Sequence, residues 1–288
     1  MRQFTGVRRW CRSLGAVAVA LTLLAVFLVC SLPSGALAVV MQWEQYVQSG
    51  GDGPPVTHLM VGRCEQQAPP AECTDFGDLP EGLVDITLTT FVDPTASLGK
   101  HWCYAIYALH AAGRSGPSNV ACTYVPTAPM IPQAQMRVVS VDGEETMAAD
   151  NKSANVLDNN PATFWHTPWS GGVAPPPPHT IVIDLGHVYQ VSALTYLPRQ
   201  DGSDHGTIAT YVLAVSVDGT TWSIPVATGR WSANRGLKTV EWPAQSGRFV
   251  WLAALAESRG RAWSSVAELR VFGTVAAEPV PAAPRSSD

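Results

Sequence analysis

The sequence predicts an all-β protein built from two β-sandwich domains. Only 14% of its 288 residues are charged, and 24 glycines and 23 prolines interrupt it at short intervals. Between these turn-forming residues, short segments alternate apolar and polar side chains, and no long segment repeats apolar residues with the 3.6-residue period of a helix. The length suffices for two such domains.

Residues 1–38 have the pattern of a secretory signal peptide. Four arginines among the first twelve residues precede an apolar run, Leu14–Val29, and a small-residue site at Ala36–Ala38. We therefore expect cleavage after Ala38 and a secreted, extracellular or cell-envelope location. The alternative is a membrane anchor, although the run is shorter than the roughly 20 residues that a span needs. No transmembrane span is predicted in the mature chain.

The charge balance argues against nucleic acid as a partner. The chain has 18 basic and 23 acidic residues, and removal of the predicted leader leaves 14 basic and 23 acidic ones, a net charge of −9. An acidic chain without a cluster of lysines and arginines is a poor match for phosphate backbones or anionic membranes.

The four cysteines that follow the predicted leader indicate disulfides, because an even number in an exported chain is typical of them. Three pairings are open at this point. A zinc site is the alternative, but no C-x-x-C pair or histidine at metal spacing supports it. The four residues are Cys64, Cys73, Cys103 and Cys122.

Residues 39–125 have the pattern of the first domain. Trp43 is expected in the core of an early strand, His58–Arg63 as the next strand, and Asp85–Val92 as a half-buried strand. The segment HWCYAIYALHAAGRSGPSNVACTYVP (His101–Pro126) is similar to the last two strands of a fibronectin type III domain. This resemblance implies an immunoglobulin-like sandwich that serves as a spacer or contacts a protein partner.

The predicted hairpin of this segment favours one disulfide pairing. Tyr104, Ile106 and Ala108 alternate and should face the core. A turn at Gly113 places Cys103 and Cys122 almost opposite each other. The other two cysteines flank the short loop QQAPPAE and can close it.

A second sandwich, of the jelly-roll type, is predicted at residues 136–273. A proline-punctuated linker at 126–135 precedes it, and a disordered tail at 274–288 follows it. Six short strand patterns lie between turn residues. They are Thr180–Leu185, Ala193–Leu197, Tyr211–Ser216, Lys238–Trp242, Phe249–Ala253 and Ala267–Phe272.

Four segments of this second domain resemble a known family. They are NVLDNNPATFWHT (Asn155–Thr167), PPPPHTIVIDLG (Pro175–Gly186), LPRQDG (Leu197–Gly202) and AWSSVAELRVFG (Ala262–Gly273). Together they resemble the discoidin-type domain, also called the coagulation factor type C domain or the family 32 carbohydrate-binding module. The resemblance implies a galactose-binding-like β-sandwich that binds a ligand.

The loop DNNPAT offers hard oxygen ligands for a structural Ca²⁺. Asp158, Asn160 and Thr163 lie at alternating or nearly alternating positions, as a calcium loop requires. An Asx-rich turn is the alternative. The resemblance adds the carbonyls of Asn155 and Ala267 and the carboxylate of Glu268.

The resemblance also implies a sugar pocket. Family members that bind galactose use the histidine of the W-H-T motif and a loop arginine, which match His166 and Arg199. The fork of an arginine grips two neighbouring hydroxyls, and Trp263 matches the aromatic residue that stacks on the sugar. Where the family often has Asn after the arginine, this chain has Asp204 or His205, which leaves galactose specificity open.

These patterns predict a secreted, non-catalytic protein that binds glycans or polysaccharide, with galactose-type sugars as the expected ligands. No nucleophile elbow, phosphate loop or H-E-x-x-H motif is found, so no enzyme activity is expected. One alternative is an adhesion module that binds a protein or lipid through the exposed apolar loop around Trp169. Another is an accessory subunit that targets a separate glycoside hydrolase.

Overall fold

The structure, a computed structural model, describes residues 23–31, 37–43, 45–46, 55–66, 73–172 and 174–276. Among these residues it is almost entirely β, which confirms the predicted class, and no helix is long and apolar enough to cross a membrane. The chain forms two compact units, one mainly of residues 40–93 and 101–123 and the other mainly of residues from 124 onward.

Eight strands precede residue 126 and form two sheets. They are β1 (Leu23–Ser31), β2 (Leu37–Trp43), β3 (Val56–Gln66), β4 (Gly77–Asp85), β5 (Thr90–Asp93), β6 (Lys100–His110), β7 (Gly113–Arg114) and β8 (Ala121–Val125). One sheet has the order β4-β3-β6-β7, with β8 also paired to β6, and the other has the order β1-β2-β5. Strand β1 lies inside the predicted signal peptide, whose residues 1–22 and 32–36 are outside the described ones.

Strand β6 supplies the core of the five-stranded sheet. Tyr104, Ile106 and Ala108 are fully buried, as predicted, but Cys103 and Ala105 between them are fully buried too. Successive residues of a strand point to opposite faces. The strand is therefore covered on both faces, and the alternation in its sequence does not reveal the second one.

Both predicted disulfides are present. The Cα atoms of Cys64 and Cys73 are 6.0 Å apart, and those of Cys103 and Cys122 are 4.0 Å apart. Cys64 also lies opposite Cys103 in the pairing of β3 with β6. Each bridge restricts the unfolded chain, which stabilises the folded state by about 2–3 kcal/mol.

The strand predicted at Asp85–Val92 is wrong in its first half. Asp85 ends β4, and its Oδ1 accepts hydrogen bonds from the backbone N–H of Thr87 at 2.8 Å and from its hydroxyl at 2.6 Å. The carboxylate thus closes a tight turn, which its alternating neighbours conceal. Nothing in this unit tests the fibronectin type III resemblance, which stays a prediction.

Eight strands and two short 3-10 helices form the second unit. The strands are β9 (Arg137–Val141), β10 (Trp165–His166), β11 (His179–Leu197), β12 (Ile208–Ser216), β13 (Ala227–Arg230), β14 (Lys238–Glu257), β15 (Ser265–Val266) and β16 (Glu268–Val275), and the 3-10 helices are Gln133–Gln135 and Ser153–Leu157. The main sheet has the order β13-β12-β14-β11-β16, with β9 also on β11, and β10 pairs with β15.

Two of these strands are longer than predicted. The patterns Thr180–Leu185 and Ala193–Leu197 belong to the single strand β11, and Lys238–Trp242 and Phe249–Ala253 belong to β14. The two strands pair along their length, with register shifts between Asp184 and Tyr189 and between Val191 and Ala193. These bulges interrupt the alternation and make one bent strand look like two.

The predicted linker is partly built into the second unit. Met130 and Ile131 are buried, and the N–H of Ile131 donates to the carbonyl of Val271 at 2.8 Å. Burial of these two apolar side chains beside β16 explains why residues 129–135 do not behave as a free connector. At the other end, β16 continues to Val275, and residues 277–288 of the predicted tail lie outside the described ones.

Candidate functional site

A cavity of about 540 Å³ in the second unit is lined by four segments: residues 149–151, residues 164–169 around strand β10, residues 199–205 and the loop that carries Trp263. Its size is typical of small-ligand sites. Four of the five predicted sugar contacts line it together, and Asp204 does not. The four are His166, Arg199, His205 and Trp263.

Backbone pairing holds these segments at fixed positions. His166 lies opposite Ser265 in the β10–β15 pair, and the Ser265 N–H donates to the Gly206 carbonyl at 2.7 Å. Gly206 has a φ of +81°, and a Cβ atom there would stand 2.7 Å from the Ser265 nitrogen. Only glycine allows this approach, which brings the loop of His205 next to the loop of Trp263.

His166 is a neutral acceptor of hydrogen bonds. It is 2% exposed, and burial lowers its pKa to about 4. Its Nδ1 lies 2.6 Å from the carbonyl oxygen of Thr167, which can only accept. The single ring proton of a neutral imidazole must therefore sit on Nδ1, which leaves the lone pair of Nε2 for a ligand hydroxyl.

Arg199 is held from two sides by residues that the sequence analysis missed. Its guanidinium carbon lies 4.2 Å from the centre of the Phe164 ring. Its Nε and Nη2 donate to the two carboxylate oxygens of Asp201 at 2.8 and 2.5 Å, and this arginine holds the pKa of Asp201 below its usual range. An acidic residue two positions after the arginine in LPRQDG is the signal that points to this pair.

Trp263 and His205 form the aromatic part of the cavity. Their rings stack with centres 5.3 Å apart and planes at 30°, and the His166 ring lies 6.1 Å from that of Trp263. Trp263 is half-buried. The predicted stacking residue therefore lies at the cavity with His205 against it.

The placement of Asp204 corrects its predicted role as a sugar contact. Its carboxylate pairs with Arg259 at 2.5 Å and with Arg261 at 3.0 Å. The buried Glu257 accepts the backbone N–H groups of both arginines, at 2.6 and 3.0 Å. These contacts connect the loop of His205 to the loop of Trp263, so Asp204 positions cavity residues and does not line the cavity.

Trp169 lies at the edge of the cavity and is fixed by Glu145. The carboxylate of Glu145 accepts the N–H of Trp169 at 3.0 Å and the N–H of Ser170 at 2.8 Å. The N–H groups of Ala148 and Trp169, together with other donors, lower the pKa of Glu145 to about 2. Trp169 is 44% exposed and also lines the cavity.

The predicted cation loop forms a compact turn. Asp158 accepts the N–H of Asn160 through Oδ1 at 2.9 Å and the hydroxyl of Thr163 through Oδ2 at 2.6 Å. Asn159 between them has a φ of +56°. Within the described residues, no group of three His, Cys, Asp or Glu side chains could hold a metal. The predicted set contains only two carboxylates and relies on amide, hydroxyl and carbonyl oxygens.

Glu268 is the second of those carboxylates and faces the same loop. It is 1% exposed, and its Oε2 accepts a hydrogen bond from Gln133 at 2.8 Å, whereas its Oε1 is buried without a hydrogen-bond partner among the described residues. Burial, together with the charge of Asp158, raises its pKa to about 7. Asn155, on the 3-10 helix Ser153–Leu157, and Ala267, which precedes Glu268 in the chain, are also buried.

The fold and the cavity define a ligand-binding β-sandwich whose site is built from loops. Residues 139–269 match the family model of the F5/8 type C domain, which is the discoidin-type domain. This finding confirms the resemblance predicted for the second domain.

Two curated proteins are similar to a part of the chain. The chain is 40% identical to a sialidase of Micromonospora viridifaciens over 167 residues, which cover 58% of this chain and 26% of the relative. It is 38% identical to a galactose oxidase of Gibberella zeae over 128 residues, which cover 44% and 19%. The chain thus spans about a quarter or less of the length of these relatives.

A solved structure is also similar. It is a family 32 carbohydrate-binding module of Clostridium perfringens in complex with GalNAc-β-1,3-galactose. The two sequences are 30% identical, the match covers 50% of this chain and 99% of that one, and the TM-score is 0.46.

Proposed function

We propose that the protein is exported and binds glycans of the galactose type without catalysis. The observation that carries this proposal is the convergence of three groups on one cavity: the acceptor Nε2 of His166, the guanidinium of Arg199 and the indole of Trp263. A sugar presents hydroxyls that both donate and accept hydrogen bonds, and an apolar face that packs on aromatic rings. The cavity offers a partner for each.

The polar groups of the cavity support binding and not reaction. Asp201 is the one carboxylate among the described lining residues, and it is paired with Arg199. Glycoside hydrolysis commonly needs two carboxyl groups on either side of the bond. The relatives carry the names of enzymes, and the matches cover only 26% and 19% of their length. This favours a role of the matched domain as the part that holds the glycan, including as an accessory to a separate hydrolase.

Calcium fits the predicted site. The buried Oε1 of Glu268 has no hydrogen-bond partner among the described residues, and its pKa is raised while Asp158 lies close by. A divalent cation would satisfy that oxygen and neutralise both carboxylates. Bound calcium would stabilise the loop that leads into His166. The residues proposed to hold it are Asn155, Asp158, Asn160, Thr163, Ala267 and Glu268.

Export is proposed from the leader pattern and is supported by the two disulfides, because such bridges persist in oxidising compartments. The first unit would then act as a spacer or as a contact for a protein partner. The exposed side chains of Trp169 and Met147, 44% and 83% exposed, favour a protein or lipid ligand as the second candidate.

The test is a glycan-array screen of the full chain with calcium, followed by titration with methyl β-galactoside. We expect selective binding to galactose-type termini. Arg199→Ala should weaken it by about 10- to 150-fold, because a hydrogen bond to a charged group contributes roughly 1.5–3 kcal/mol, and should leave the unfolding temperature nearly unchanged.

Arg230→Ala is the matched control, since Arg230 is exposed on β13 and does not line the cavity. Full affinity in Arg199→Ala would place the site elsewhere. A silent array with folded protein would reject the sugar and favour the protein or lipid ligand, whose binding Trp169→Ala should then abolish.

A further inference from the structure

We propose that the cavity selects neutral sugars against acidic ones, and that Asp201 is the residue that sets this selectivity. The inference rests on the proposed function, because it names the ligand class of the same site. It follows from how the charges around the cavity are already paired.

The positively charged group of the cavity, the guanidinium of Arg199, is already paired with a carboxylate of the protein. Among the described lining residues, Arg199 is the one lysine or arginine. The edge of its guanidinium that carries Nε and Nη2 is bound to both oxygens of Asp201, at 2.8 and 2.5 Å. A sugar carboxylate or sulfate would form the same bidentate contact with the guanidinium. It would have to displace Asp201, or approach with Asp201 beside it and meet like-charge repulsion.

The rest of the cavity also disfavours an anion. The Nε2 of His166 presents a lone pair, which a hydroxyl can satisfy by donating but a carboxylate cannot. Arg259 and Arg261, on the neighbouring loop, are paired with Asp204. The N–H groups of Trp169 and Ser170 donate to Glu145. These arginines and backbone N–H groups therefore have internal partners, and the indole N–H of Trp263, which has no partner among the described residues, carries no charge.

Arg199 does not depend on Asp201 alone for its position. The Phe164 ring lies 4.2 Å from its guanidinium carbon, and the arginine side chain is only 14% exposed. In Asp201→Asn, the amide oxygen can still accept one bond from Arg199. The change should therefore keep the arginine at the cavity while removing the negative charge that competes with an acidic ligand.

The experiment compares two sugars that differ in charge: methyl β-galactoside and methyl galacturonoside, whose C6 is a carboxylate. Calorimetry of the full chain is run with calcium at low salt and about pH 8, where histidines add little positive charge. Wild type should prefer the neutral sugar by at least about 10-fold. Asp201→Asn should raise the affinity for the acidic sugar relative to the neutral one by about 10-fold or more, a gain that high salt weakens.

Two further variants separate this role from general electrostatics. Asp218→Asn changes the net charge equally, at the far end of the nine-residue strand β12, about 30 Å from the cavity, and should leave both affinities unchanged. In Arg199→Met/Asp201→Asn, the gain for the acidic sugar should disappear. A gain in Asp218→Asn, or its persistence in the double variant, would contradict the inference.

The outcomes also distinguish this inference from the proposed function. Binding of the neutral sugar by wild type, with no gain for the acidic sugar in a folded Asp201→Asn, would overturn only the role of Asp201. Loss of both sugars in that variant at an unchanged unfolding temperature would overturn it too, because Asp201 would then only position Arg199. A wild type that binds neither sugar would overturn both proposals.

Discussion

The cavity and the predicted cation loop of the second unit differ in how many of their polar groups already have a partner within the protein. In the cavity, the fork of Arg199 is paired with Asp201, and the Nδ1 of His166 with a carbonyl. At the cation loop, the buried Oε1 of Glu268 has no hydrogen-bond partner among the described residues. The protein thus fixes these cavity side chains by itself, whereas at the loop the proposed calcium would supply the missing partner.

The cost of an unsatisfied group explains why this difference matters. A buried polar atom without a partner costs roughly 1–3 kcal/mol, and more when it is charged. A cation at the loop would therefore act mainly on stability. A sugar at the cavity gains affinity because the side chains that meet it are already immobilised.

The largest expected effect is the removal of calcium. Saturating calcium should stabilise the protein against EDTA by about 3–4 kcal/mol, as expected for a ligand at 100 to 1,000 times its dissociation constant. Thermal unfolding measures the shift, and titration of methyl β-galactoside in EDTA should show affinity weakened by less than about 3-fold.

Asp158→Asn should abolish this calcium-dependent shift, and Asp142→Asn, a change at an exposed carboxylate outside the loop, should preserve it. Equal unfolding temperatures in calcium and EDTA would contradict the proposed calcium site, and with it the difference drawn between the loop and the cavity.

An effect of similar size is expected from the pH dependence of stability through His166. Its pKa is about 4 in the folded state and near 6.5 when unfolded. Between these values the unfolded chain binds the proton and the folded chain does not, so stability falls as the pH is lowered, by about 3 kcal/mol at pH 4.

Urea unfolding from pH 7 to pH 4 measures the pH dependence of the free energy of unfolding. The variant His166→Gln has no ionisable group at this position and should lose the contribution of His166 to that dependence. A His166→Gln curve parallel to that of wild type would show that another group is responsible. Sugar affinity should fall only near pH 4, where Nε2 becomes protonated.

The smallest effect is expected at Asp204. Its pairs with Arg259 and Arg261 are partly exposed, and such pairs contribute about 0–1 kcal/mol. Asp204→Ala should therefore change galactoside affinity by less than about 3-fold in calorimetry, in contrast to Arg199→Ala. A loss as large as that of Arg199→Ala would restore Asp204 to the sugar contacts.

The sequence predicted the residues that are specific to a motif better than it predicted their partners. The sequence predicted His166 from the W-H-T motif, Arg199 from LPRQDG and Trp263 from AWSSVAELRVFG. The structure brings the three residues to one cavity. Phe164 and Asp201 were missed because a side-chain contact with Arg199 leaves no periodic pattern. The sequence left the choice between Asp204 and His205 open, and the structure places His205 at the cavity and Asp204 in ion pairs outside its lining.

By itself, the sequence predicted the all-β class and favoured the two observed disulfides, because alternation, turn residues and cysteine spacing are local properties. Its motifs carried the resemblance to the discoidin-type domain. The tertiary structure alone decided that β11 and β14 are single bent strands, that Ile131 is buried beside β16, and that Asp201 neutralises Arg199. Bulges, burial and ion pairs depend on which distant segments meet. The free energy of those contacts therefore cannot be inferred from the sequence of any one segment.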